Sequence, residues 1–524
     1  MTILWDETSC GSKKAVAARL APCRNGFDPL HCRGVVLLMM KLCTCLHLAA
    51  LLLGTCAANA AASESTTPTS LVITHVTVID PGEGTVRPNQ TVVISGDTIL
   101  QVVRTGSRAG APSQAAVIDA SGKYLIPGLW DMHAHVLDPE REFALFLANG
   151  VTGLRNIGGV AKDVFKWRDE VRAGTTLGPW MIACGPILDG PRPATPEYSV
   201  PIETPEEGRA AVRAQKTEGA EFLKIYDGLS RESYLAIAEE AKKLKLPFAG
   251  HVPVRVTIMD ATDAGQHSIE HGIELRGTST AEDEVIRLIE TTDVMAEALR
   301  TKNFALIPES IARRGNLLLD NYSVSRARQL YRALVKHHTY LTPTLVTEHA
   351  LTFVDDLSQK DDPRAKYIPP SSREYWKPEK GMLTRYRTPA YKEFRKREFA
   401  KMLEHVAAAH QAGVRFLAGT DTSLPYIYPG FSVHDELALF VQAGFTRLQA
   451  LQTATSNPAS YFDIEKSAGG IQPGMAADLV LLDADPIKDI ANTTRINAVI
   501  VRGRLLPRAV LDRMLRRAEE MVNK

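Results

Sequence analysis

Six side chains able to bind a cation or carry charge stand at the ends of short apolar runs, and this recurrence constrains the fold more than any other feature of the chain. His133-Ala134-His135 follows the run Tyr124-Leu-Ile-Pro-Gly-Leu-Trp130 and Asp131. Lys224 lies in Phe-Leu-Lys-Ile-Tyr226, His251 in Phe-Ala-Gly-His-Val252, His271 in Ser-Ile-Glu-His-Gly272 and Asp421 in Phe-Leu-Ala-Gly-Thr-Asp421. Alternation along a strand puts residues i and i+2 on one face, so His133 and His135 can reach one metal ion from a strand end. A lone His-x-His is weak evidence. It gains force because the other four close apolar runs too, as catalytic groups do in a (β/α)₈ barrel.

The middle of the chain alternates strand-like runs with amphipathic helical stretches, as a parallel sheet with crossover helices requires. Strands are expected to end near His135, Asn156, Ile187, Tyr226, Val252, His271, Leu345 and Asp421. Ala305-Leu-Ile-Pro308 is set aside as a connector because of its proline and flanking charges. Segment 346–400 is long and rich in charge and aromatics, including Tyr367, Tyr375, Trp376, Tyr386 and Tyr391. It reads either as a solvated helical hairpin or as a lid over the barrel mouth. Both ends of the body are β-rich: 71–103, with a Gly96-Asp97 hairpin turn, and the runs 477–483 and 496–502. Neither has enough apolar surface to stand alone. The expected architecture is therefore α/β: a (β/α)₈ TIM barrel over 124–469, inserted in a small β-sandwich domain built from 71–123 and 470–510.

A formal net charge of +1 over 524 residues gives no reason to expect a nucleic-acid partner. Six of the seven cysteines precede residue 57 and only Cys184 lies beyond, so the body cannot form an internal disulfide or hold metal through a cysteine cluster. Residues 40–60 read as a signal peptide: Met40-Lys41 is a basic start, 42–54 an apolar stretch and Ala58-Asn59-Ala60 a small-residue cleavage pattern. Residues 1–39 resemble none of these parts and are read as a mis-set start, and 61–70 as a linker. The expectation is an exported protein, periplasmic or secreted, with no membrane contact beyond the signal segment.

Imidazole and carboxylate suit zinc, manganese or iron, and without cysteines a purely structural zinc site is disfavoured. Lys224 is the odd member, since an ammonium is repelled by cations and has no lone pair to give. Reaction with carbon dioxide would turn it into a carbamate anion whose two oxygens can bridge two metals.

Pro127-Gly-Leu-Trp-Asp-Met-His-Ala-His135, Lys224, His251, Ser268-Ile-Glu-His-Gly272, Ala418-Gly-Thr-Asp421 and Ile471-Gln-Pro-Gly-Met-Ala-Ala-Asp478 resemble the metal-dependent amidohydrolase superfamily. Within it the chain looks most similar to the imidazolonepropionase-like and Xaa-Pro dipeptidase-like branch, over 71–503. The resemblance implies two divalent metals, zinc foremost, with His133, His135 and Asp421 on the first and His251 and His271 on the second. Lys224 would bridge them as its carbamate. It further implies a metal-bridging hydroxide that attacks an amide carbonyl, with Asp421 taking its proton and passing one to the leaving nitrogen.

Each histidine taken singly is more often a hydrogen-bonded structural residue than a ligand. His267, His337, His338, His405, His410 and His434 are assigned to structure, and Asp131 to hydrogen bonding without chemistry. Tyr226 shares the face of Lys224 and is either a partner for a substrate carboxylate, as the resemblance suggests, or a support for a ligand. Arg155 is a second candidate for the carboxylate. The favoured substrates are small amides or peptides bearing a carboxylate, either Xaa-Pro dipeptides or N-acyl amino acids. The rivals are a cyclic amide hydrolase of the imidazolone or hydantoin type, a heterocycle deaminase, and a periplasmic binding protein that has lost catalysis. A homo-oligomer is compatible with the sequence, in which no residue fixes a symmetry.

Overall fold

The computed structural model describes residues 70–523 except 109, 111, 113, 359, 382–385 and 423. The segments read as a mis-set start and signal peptide lie outside the described residues, as does the linker except for Ser70, which already begins a strand. No helix among the described residues is long and apolar enough to cross a membrane.

The first strands are β1 (Ser70–Asp80), β2 (Thr85–Ser95), β3 (Thr98–Arg104), β4 (Ala116–Asp119) and β5 (Tyr124–Pro127). The middle supplies β6 (Leu129–Ala134), β7 (Val151–Asn156), β8 (Trp180–Ala183), β9 (Ile187–Asp189), β10 (Ser199–Pro201), β11 (Leu223–Ile225), β12 (Phe248–Gly250), β13 (Ser268–Glu270) and β14 (Tyr340–Thr342). The far end adds β15 (Leu479–Leu482), β16 (Ile496–Val501) and β17 (Arg504–Pro507).

Both chain ends join one eight-stranded sheet in the order β17-β16-β15-β5-β1-β2-β3, with β4 also on β1. The expected sandwich of two sheets is thus a single sheet. The cause is the length of β1: on one edge it pairs with β2, and on the other its first half takes β4 and its second half β5. β5 in turn pairs with β15 from the far end of the chain. The sheet bends round far enough for Thr98 to bridge Ala476, enclosing Ile73, Val92, Ile94, Leu125, Leu479 and Ile500. β-branched side chains at most of these positions suit a pleated, packed surface.

The remaining strands are parallel and short, in two sheets: β6-β7-β8, and β10-β9-β11-β12-β13-β14. β11, β12 and β13 are buried at every residue, as expected of strands covered on both faces. Helices separate them, and the one before β11 shows how locally the chain specifies this. Thr204 and Glu207 form a capping box, Pro205 occupies the first turn, and Gly219 ends the helix at φ 96°. Its buried Gly208, Ala211, Val212 and Gln215 recur at helical spacing.

Single bridges link the two parallel sheets and the segment 415–418: Cys184 with Phe222, and Leu341 with Phe416. The Met132 N–H donates to the Ala418 carbonyl at 2.8 Å. The strand expected to end at Asp421 is therefore present as hydrogen-bonded extended chain, without a full ladder of its own. Asp421 itself has φ 55°, which turns the chain out of extended geometry. The strand expected to end near Leu345 stops earlier, because Thr344 is left-handed at φ 45° and Leu345 starts a helix. Ala305-Leu-Ile-Pro308 opens the helix Leu306–Asp320, where proline in the first turn forfeits no intrahelical bond.

The described part of segment 346–400 forms several short helical pieces and the first half of the long helix Pro389–Gln411, and it packs most of its aromatics inward. Tyr367, Trp376 and Tyr391 are buried, while Tyr375 is exposed. Trp376 lies 5.4 and 5.5 Å, ring to ring, from Tyr426 and Tyr428, in the loop that follows Asp421.

Candidate metal centre

The ends of β6, β11, β12 and β13 and the turn after 415–418 carry the side chains expected to act together. His133 and His135 project from the end of β6 with ring centroids 5.5 Å apart. Asp421 is brought to them by its own N–H, which donates to the His133 carbonyl at 2.6 Å. Its Oδ1 lies 3.5 Å from His133 Nε2 and 3.3 Å from His135 Nε2. One ligand atom from each of the three falls within 4.8 Å of the others. Gly419 makes this approach feasible: a Cβ there would sit 2.6 Å from His133 Cβ and from Thr342 Cγ2.

His271 extends the cluster, with its ring 4.4 Å from that of His133 and 4.7 Å from that of His251. His251 packs against Tyr226 at 4.0 Å. Lys224 is buried, with Nζ 5.8 Å from the Tyr226 ring centroid, and its ammonium has no hydrogen bond or ion pair among the described residues. The Tyr226 side chain also makes no hydrogen bond among them. All the expected ligands thus share one neighbourhood with Tyr226, although only His133, His135 and Asp421 form a compact ligand set as the side chains stand.

Arg155 has a different place from the one expected. It is fully buried, and its donors are already taken: Nε by the Met132 carbonyl at 2.5 Å, Nη1 by Ser268 Oγ at 2.7 Å and Tyr461 Oη at 2.9 Å, and Nη2 by both oxygens of Glu270 at 2.8 Å. A guanidinium so engaged has nothing to offer a substrate carboxylate, and that role is withdrawn. Asp131 behaves as read from the sequence: its carboxylate accepts from the N–H groups of His133 and Thr420 and from Thr420 Oγ1. His267 stacks on Tyr461, His405 meets Tyr331, and His434 meets Thr493 and the Asn149 carbonyl.

Three supporting residues escaped the sequence. Glu270 accepts from His133 Nδ1 at 2.8 Å, Asp227 from His251 Nδ1 at 2.9 Å, and Thr344 Oγ1 lies 2.9 Å from His271 Nδ1. Glu270 directly precedes His271 and Asp227 directly follows the candidate Tyr226, which was the available signal. Thr344 had none, since its left-handed backbone is costly for a β-branched residue and is held by tertiary contacts: Glu436 accepts from the next two N–H groups at 3.1 and 2.7 Å.

The donor set suits a divalent metal. His133 Nε2 is buried and has no hydrogen-bond partner among the described residues, which is costly unless a cation takes the lone pair. Burial, reinforced by Lys224, lowers the His133 pKa to about 3, and burial lowers that of His251 to about 4, so both rings are neutral donors at physiological pH. Burial opposes the charge on Asp421, but the imidazoles of His271, His133 and His135 outweigh it and hold the carboxyl well below its usual range. Burial also lowers Lys224, against the pull of Glu270 and Asp421, favouring the neutral amine. Imidazole nitrogen and carboxylate oxygen are ligands that zinc accepts.

Comparison with known proteins agrees with this geometry. Ochratoxinase of Aspergillus niger is 24% identical over 492 residues, covering 81% of this chain and 84% of the relative. Among solved structures, a putative prolidase from Bifidobacterium longum matches with a TM-score of 0.62 and 24% identity, over 86% of this chain and 99% of that one. Bottromycin amidohydrolase matches with a TM-score of 0.65 and 22% identity, over 87% and 91%. These likenesses mark the fold as TIM-barrel-like α/β. The sequence profile of the amidohydrolase family matches residues 124–506, from β5 through to β17 and across every residue of the centre. The chain therefore belongs to the amidohydrolase family and is a hydrolase of amide carbon–nitrogen bonds.

Proposed function

We propose that this protein is an exported, binuclear metal-dependent amidohydrolase that cleaves small amides bearing a carboxylate near the scissile bond, of the Xaa-Pro dipeptide or N-acyl amino acid type. The observation that carries the proposal is the convergence of His133, His135 and Asp421 within 4.8 Å, with His271, His251 and buried Lys224 beside them. His133, His135 and Asp421 would hold one metal, His251 and His271 the other, and Lys224 would contact both as its carbamate. A lysine buried without an ion pair among the described residues favours the unprotonated amine that carbamate formation needs. When bound, such metals lower the pKa of a water molecule and polarise a carbonyl oxygen.

The chain's own residues supply the remaining steps. Asp421, at the mouth of the barrel-like fold, takes the proton of the attacking water and delivers one to the departing nitrogen. Tyr226, whose phenol makes no hydrogen bond among the described residues, offers that phenol to the substrate carboxylate from beside His251. Trp376, Tyr426 and Tyr428 lie together beyond Asp421, so segment 346–400 borders the entrance as a lid. In the same proposal the segment 415–418 serves as the last strand and closes the barrel, supported by its hydrogen bonds to β14 and β6.

The test is amine release from a panel of Xaa-Pro dipeptides, N-acyl amino acids and cyclic ureides, with zinc supplied and an Asp421→Asn control. Turnover of linear substrates, absent in the control, is expected. Activity confined to cyclic substrates overturns the assignment in favour of a cyclic amide hydrolase, and zinc binding without turnover of any panel member contradicts the assigned substrate class.

A further inference from the structure

We propose that Glu270, clamped by Arg155, is a positioning residue that selects which nitrogen of His133 faces the metal centre, so that affinity on the His133 side is set by a buried ion pair outside the substrate's reach. The inference rests on the two-metal proposal above.

Glu270 is fully buried, and both of its oxygens are engaged. Oε1 accepts from Ser268 Oγ at 2.5 Å and from Arg155 Nη2 at 2.8 Å. Oε2 accepts from Arg155 Nη2 at 2.8 Å and from His133 Nδ1 at 2.8 Å. This carboxylate cannot turn without giving up a bond to Arg155. Arg155 is fixed in turn by Met132, Ser268 and Tyr461, and Met132 directly precedes His133 on β6. The imidazole therefore has one favourable orientation, with its Nδ1 proton on Glu270 and its Nε2 lone pair on the side of Asp421. Turning the ring over would set carbon against a buried carboxylate and leave that carboxylate short of a donor, which is expensive in a site closed to water. The unpartnered state of His133 Nε2 follows from this arrangement.

The other imidazoles depend on other residues. His251 has Asp227, His271 has Thr344, and the His135 backbone N–H rests on Thr422. Glu270 makes a hydrogen bond to no histidine but His133 among the described residues. Its hydrogen bonding to the imidazoles is therefore one-sided, and this separates a positioning role from a general structural one: loss of Glu270 should weaken the metal on the His133 side more than the other.

The experiment titrates the metal-free full chain with zinc against a chelating dye, for the wild type and Glu270→Gln. Glutamine preserves size but presents an NH₂ group where Arg155 or His133 needs an acceptor. The expected result is two zinc equivalents in the wild type, and in the variant one equivalent weakened about 10- to 100-fold while the other changes less. Nitrogen-15 spectra of histidine in the zinc-free chains report the change directly, through a shift in proton occupancy between the two nitrogens of His133. Equal weakening of both equivalents, or of neither, overturns the inference. A wild type that binds no zinc overturns the two-metal proposal with it, whereas two equivalents bound alike in both chains overturn the inference alone. If Glu270→Gln alters the zinc-free melting curve, Ser268→Ala decides instead: it removes one donor to Glu270 and keeps the ion pair. A smaller weakening of the same single equivalent supports the positioning role, and unchanged binding contradicts it.

Discussion

Asp421→Asn is expected to lower kcat/KM by about 10³-fold or more, equivalent to about 4 kcal/mol of transition-state stabilisation. Asparagine keeps the size of the side chain and its place after Gly419, but it cannot accept a proton and is a poor metal ligand. The carboxylate sits 3.3 Å from His135 Nε2 and 3.5 Å from His133 Nε2, and its carboxyl lies well below the usual range, so it is ionised at physiological pH. It is thus placed both to bind metal and to accept the proton of the attacking water. The two losses separate when zinc content is measured beside the rate at saturating zinc. A variant that retains its metal and loses kcat has lost the base. Activity within about tenfold of wild type, outside the usual span of general acid–base effects, would show that Asp421 does not carry the proton.

Lys224→Met is expected to cost as much, by a different route. Methionine fills the volume of a buried lysine and adapts to its surroundings, so the fold should survive. It cannot form a carbamate. If the proposed carbamate holds two metals together, its removal would take away the anion that offsets their repulsion, and the bound zinc should fall from two equivalents toward one. A loss of about 10²- to 10⁴-fold in kcat/KM is anticipated if metal activation and proton transfer both suffer. In Lys224→Ala, where truncation does leave space, a short free carboxylate such as propionate added to the assay should restore part of the activity. Full zinc content and full activity in Lys224→Met would remove the bridging role.

The fold and the centre were legible in the sequence to different depths. The ends of β6, β7, β11, β12 and β13 fall where apolar runs meet polar residues, because a short strand buried on both faces leaves a strong local signal. The segment before Asp421 gave the same signal yet forms only partial ladders, since Gly419 and the left-handed Asp421 are imposed by the approach of His133 and Thr342, a tertiary fact. The sandwich became one sheet for a similar reason: pairing of β1 with both β4 and β5 depends on strand length and on partners far apart in the chain. Arg155 shows the limit most clearly. An arginine at a strand end reads as a receptor for carboxylates, and it does bind one, that of Glu270, 115 residues further along. The residue type was informative about the chemistry and silent about the partner.

Zinc stoichiometry tests the central claim most directly. The chain is stripped with a chelator, titrated with zinc and analysed by mass spectrometry under non-denaturing conditions, with amide hydrolysis followed at each addition. Two zinc ions per chain, with activity rising only as the pair is completed and lost again on chelation, is the predicted result. A chain that binds less than one equivalent, or that hydrolyses amides equally well after stripping, would contradict it.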